Sequence, residues 1–122
     1  MAGLVGIHNL LGGLVVVAFI VVVVLAAIQA AGRSGETLRV VSIAAAGILL
    51  LQYIIGFALL GGGSRNSEGH YIIALLLIVP VAVQHSAARR FSPQSRGMVT
   101  LIAALAAAFL AVIAYLTGMQ GA

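Results

Sequence analysis

Three histidines, His8, His70 and His85, are the side chains in this chain best suited to ligate a metal or relay a proton. Neutral imidazole is a nitrogen ligand for transition metals, and its two ring nitrogens can take separate tasks. Cysteine is absent, which excludes disulfides, thiolate metal sites, iron–sulfur ligation and covalent cofactor attachment through a C-x-x-C-H motif. The two carboxylates, Glu36 and Glu68, fall in polar connecting segments. No acid or base of that type is therefore placed for catalysis within the apolar stretches, which argues against a stand-alone enzyme. Gln52 and Tyr115 are further polar groups within those stretches.

The elements that must position these groups are helices in a membrane. Hydrophobic residues make up 63% of the 122 residues and charged residues 7%, with a mean hydropathy of +1.25, far outside the range of soluble chains. Four apolar stretches are separable, at about Ile7 to Ala31, Leu38 to Leu60, His70 to Ala88 and Met98 to Gly118. Each approaches or exceeds the roughly 20 residues that cross a hydrocarbon core. Backbone amides in hydrocarbon must bond internally, so the expected fold is all-α: one domain, residues 1–122, forming a four-helix transmembrane bundle. The first stretch lacks a basic flank and is too long for the core of a secretory signal, so it reads as a retained helix.

The connections are Gly32 to Thr37, Gly61 to Gly69 and Arg89 to Arg96 with its flanks. Ser34 or Thr37 is positioned to cap the second helix. Pro80 removes a backbone donor in the middle of the third stretch and predicts a kink there. Gly12, Gly13, Gly47, Gly56 and the alanine-dense fourth stretch permit close helix approach.

Six arginines and no lysine give the net charge of +4. Arg33, Arg39, Arg89, Arg90 and Arg96 flank the first and third connections, whereas Arg65 is alone in the second, beside Glu68. The positive-inside rule puts the arginine-rich turns in the cytoplasm and both termini outside, as expected in a bacterial cytoplasmic membrane. This distribution is a topology signal, so lipids and neighbouring membrane subunits are the expected partners and nucleic acid is not.

His8 and His70 then begin parallel helices at similar depth on the outer side. Gly12 and Ala74 lie one turn beneath them on the same faces. Two imidazoles above two small residues leave room for a flat macrocycle between the helices, with both rings reaching its iron. Such a bis-histidine haem b has no open axial position, so its natural chemistry is electron transfer. Arg65 and Asn9 are the nearest candidates for its propionates, and Gln52, one turn inside Gly56, either lines the pocket or bonds across helices. His85 is roughly 22 Å further along its helix, with no histidine at its level. It suits an interfacial role, or a contact to a quinone or neighbouring subunit, while Met98 offers a weaker His/Met pairing.

The order of these features resembles one four-helix half of the haem A synthase family. The residues that carry the likeness are Ile7-His8-Asn9-Leu10-Leu11-Gly12-Gly13, Leu51-Gln52-Tyr53-Ile54-Ile55-Gly56, Gly69-His70-Tyr71-Ile72-Ile73-Ala74 and Arg89-Arg90. The resemblance implies a four-helix fold with His8 and His70 as an outer-side haem ligand pair. The chain departs from the family in having a single half, no loop cysteines, and Val5, Gly6 and Ile7 where an acidic residue precedes the first histidine. Haem binding, rather than the synthase reaction, is what these residues imply.

The expected function is a small b-type cytochrome, or a haem b-carrying subunit of a respiratory or photosynthetic electron-transfer complex with a separate redox partner. The alternative is a haem-free accessory subunit of a membrane assembly, its histidines interfacial.

Overall fold

The computed structural model describes residues 2–33 and 35–121, apart from the side chains of Ala88, Pro93 and Gln94. Among the described residues there are five helices: α1 (Ala2–Ala30), α2 (Glu36–Gly61), α3 (Glu68–Leu76), α4 (Ile78–Arg90) and α5 (Pro93–Gln120). α3 and α4 are two parts of one span broken at Leu77, so four helical spans are long and apolar enough to cross a membrane. The chain is a transmembrane four-helix bundle. Outward-facing Leu10, Val17, Phe57, Ile72, Ile102 and Phe109 are each more than half exposed, as side chains against lipid tails should be.

The break in the third span lies three residues before Pro80, which cannot donate to the Leu76 carbonyl and crowds it. At the break the cap turn bonds back to the Ile73 and Leu75 carbonyls. The Ala74 carbonyl accepts the Tyr53 hydroxyl from α2.

Helix ends differ from the sequence expectation in instructive ways. α1 begins at Ala2, so His8 stands almost two turns inside it. α2 is capped at its N-terminus by Gly35, with Thr37 inside the first turn; Ser34 lies outside the described residues. α3 starts at Glu68, where the Ser67 side chain accepts from the His70 amide. The arginine-rich third connection shrinks to Phe91 and Ser92, because Ser92 caps α5 and Pro93 occupies its first turn, where a missing amide hydrogen costs nothing.

α1 and α5 form the centre of the bundle. α2 packs on α1, and α3 and α4 pack on α5. Val15, Phe19, Val22 and Ala26 form the buried stripe of α1, and Ala104, Ala107 and Ala111 of α5 join it in one core cluster. The small residues bring the two backbones together: a Cβ on Gly97 would stand 3.1 Å from the Ala30 Cα, the kind of approach that substitutes for hydrophobic driving force in lipid.

α2 meets the third span chiefly through side chains, by Tyr53 to Ala74 near one end and by a 2.7 Å hydrogen bond from Gln84 to Ser42, both buried, towards the other. The packed core occupies the half near the arginine-rich turns. The opposite half opens into a cavity.

Candidate functional site

α1 and α3 run in the same direction from the end opposite the arginine-rich turns, and they carry His8 and His70 into that cavity. The two ring centroids are 6.4 Å apart, with the ring planes at 77°. A metal–imidazole nitrogen bond is about 2 Å and the ring centre is roughly 1 Å behind that nitrogen, so rings sharing one ion from opposite sides have centroids about 6 Å apart. A shared ion fixes this separation and leaves the relative twist free.

Each ring is held by a neighbouring helix. His70 Nδ1 donates to the Ala114 carbonyl of α5 at 2.9 Å. Because a carbonyl only accepts, the hydrogen is on Nδ1 and the lone pair on Nε2, the arrangement in which metal-ligating histidines are usually oriented. The Gln52 amide of α2 lies 3.3 Å from His8 Nε2. An amide donates or accepts according to which end faces the ring, so Gln52 is able to hold either tautomer. Among the described residues neither His8 Nδ1 nor Gln52 Oε1, both enclosed, has a hydrogen-bond partner, a costly state in an apolar setting.

The cavity measures about 480 Å3, inside the roughly 300–1,000 Å3 range of cofactor and ligand sites. Its lining includes His8, Gly12, Gln52, Arg65, His70 and Ala74. All six site residues expected from the sequence, drawn from α1, α2, α3 and the α2–α3 connection, thus meet around one space. Asn9 also lines it, whereas His85 is exposed on α4 and lies outside it.

The use of small residues differs from the expected pattern. The face of Gly12 is occupied: a Cβ there would meet the Gln52 amide and the Tyr115 ring, both at 3.2 Å. The glycines that rest on the histidines belong to the antiparallel helices. Gly56 of α2 lies against His8, where a Cβ would be 3.2 Å from Cε1, and Gly118 of α5 lies against His70, where it would be 2.9 Å from Cε1. Sequence reasoning missed Gly118; its signal was the Ala114-x-x-x-Gly118 spacing at the C-terminal end of α5.

The polar mouth of the cavity was also only partly foreseen. Asn66 donates through Nδ2 to the Gly118 carbonyl at 3.0 Å, and its backbone amide donates to the Tyr71 hydroxyl at 2.8 Å. The Gly118 bond clasps the glycine-rich connection onto the end of α5 and the Tyr71 bond clasps it onto α3, leaving Arg65 exposed at the rim.

Among the described residues no group of three or more histidine and carboxylate side chains could hold a metal ion. Two imidazoles at this separation would instead suit a metal that brings further ligands of its own, as haem iron does. The ring separation, the orphaned His8 nitrogen, the glycines beside both rings and the largely apolar walls all fit that group. No family model, curated protein or solved structure matches the chain.

Proposed function

We propose that this protein binds one b-type haem, which His8 and His70 would hold. It is then a small membrane cytochrome, or the haem-carrying subunit of a respiratory or photosynthetic electron-transfer complex. The observation that carries this reading is the pair of rings at 6.4 Å inside a mostly apolar cavity. The likeness to one half of the haem A synthase family supports the same two residues. With no cysteine in the chain, the cofactor is held by ligation and packing alone.

Bound haem would supply one-electron redox chemistry, with His8 and His70 as the residues that would hold it. The protein's part is to orient and to enclose. Ala114 fixes His70 as an Nε2 ligand, Gln52 steadies His8, and Gly56 and Gly118 keep side-chain bulk away from the rings. Arg65 at the rim is available to the propionates. One haem near one end of a roughly 30 Å core does not connect the two faces, so a quinol, a soluble carrier or an adjacent subunit must exchange electrons with it. The arginine distribution supports an extracytoplasmic haem end, in keeping with the proposed bacterial cytoplasmic membrane.

Titrating detergent-solubilised protein with haemin tests the proposal. Uptake should saturate at one haem per chain, and reduction should give a sharp α band. If uptake is not saturable, what remains is a haem-free packing subunit in which His8 and His70 serve only as hydrogen-bonding partners of Gln52 and Ala114.

A further inference from the structure

A second concavity lies on the other half of the molecule, between α4 and α5. Val79, Pro80 and Val83 face Val99, Ile102 and Ala106 across a groove of about 470 Å3 that is apolar throughout. The break at Leu77 and the alanines of α5 create it, since neither helix presents a side chain large enough to fill the gap. The groove runs from Leu76, at the end of α3, to Val83 on α4 and from Leu110 to Val99 on α5, or roughly 10 to 16 Å at 1.5 Å per residue.

Two arginines are in register with its lower end. Arg90 follows Val83 by two turns, and Arg96 precedes Val99 by three residues, so each continues the face that lines the groove. The two-residue turn at Phe91 and Ser92 brings both to the same end. Arg90 is exposed. Among the described residues the Arg96 guanidinium makes one long hydrogen bond, to the Phe91 carbonyl at 3.4 Å, and its Nε is enclosed with no acceptor. The acidic residue at this end, Glu36, is on α2, whose close backbone neighbour is α1.

We infer that this groove is a binding site for an anionic phospholipid, one acyl chain lying between α4 and α5 and the phosphate meeting Arg90 and Arg96. Apolar walls fit the chain, and unmet cationic donors at the headgroup level fit the phosphate. A zwitterionic lipid carries its own cation beside the phosphate and gains less from two arginines. The site is separate from the histidine cavity and does not depend on haem.

Native mass spectrometry of detergent-purified protein, with phosphatidylglycerol or phosphatidylcholine added, tests the inference. One phosphatidylglycerol per chain should be retained in preference to phosphatidylcholine. Arg90→Gln and Arg96→Gln should each reduce its retention roughly fivefold. Arg33→Gln and Arg39→Gln, at the same end but away from the groove, should leave retention unchanged. Ala106→Phe should displace the lipid with both arginines intact; Ala106 is exposed, and unchanged helicity would show that the fold survives. Equal retention of the two lipids, retention of neither, equal loss in the Arg33 and Arg39 variants, or full retention in Ala106→Phe would each overturn the site.

Discussion

The His70 ring is fixed by its bond to the Ala114 carbonyl and bounded by Gly118, so it has little freedom to yield. Gly118→Ala would place a methyl group 2.9 Å from Cε1, and the ring would have to leave either its carbonyl partner or its position opposite His8. We expect a loss of about 1–3 kcal/mol in stability, typical of overpacking, together with weakened haem uptake. Gly56→Ala meets His8 at the milder 3.2 Å and should cost less, because a gain in helix propensity of about 1 kcal/mol offsets the crowding. Thermal unfolding in detergent and haemin titration of both variants will rank them; a harmless Gly118→Ala would show that His70 is not confined. The two histidines and Gln52 were legible in the sequence because polar side chains stand out in apolar runs. Gly118 was not, because it lies in a run of small residues where any one of several might have been the point of contact, and only the packing of α5 against α3 selects it.

At the scale of elements, the third span shows both what a sequence marks and what it conceals. Pro80 announced the break, but that the Ala74 carbonyl beside it would take the Tyr53 hydroxyl depends on how α2 lies across the bundle. Ser92 followed by Pro93 is a helix-start pair, yet the surrounding arginines and serines read as a longer loop. The Ser42–Gln84 bond, which ties α2 to α4, gives a test at this scale. Ser42→Ala strands a buried amide whose Oε1 already lacks a partner and should destabilise the bundle by about 1–3 kcal/mol. Adding Gln84→Leu removes the stranded group and should recover most of that loss, a coupling that a double-mutant cycle of unfolding will read. A double variant less stable than Ser42→Ala would mean the pair is not linked as described. Tyr53→Phe should cost less, about 0.6 kcal/mol, the average for a hydrogen bond between membrane helices.

For the whole molecule, apolar length and composition made the four spans legible, while the sideways arrangement was not, since apolar faces around each helix leave the choice of neighbour to small-residue contacts such as Gly97 on Ala30. Orientation is testable because the chain has no native cysteine. In intact cells a membrane-impermeant maleimide should label Ser64→Cys and spare Thr37→Cys; the reverse pattern would invert the topology. The haem proposal rests on two imidazoles converging on one iron, and the most direct measurement is the reduced-minus-oxidised spectrum of haem-loaded protein and its histidine variants. His8→Ala and His70→Ala should each lose the sharp α band while His85→Ala keeps it. An undiminished band in both His8→Ala and His70→Ala would contradict the ligand pair and the cytochrome built on it.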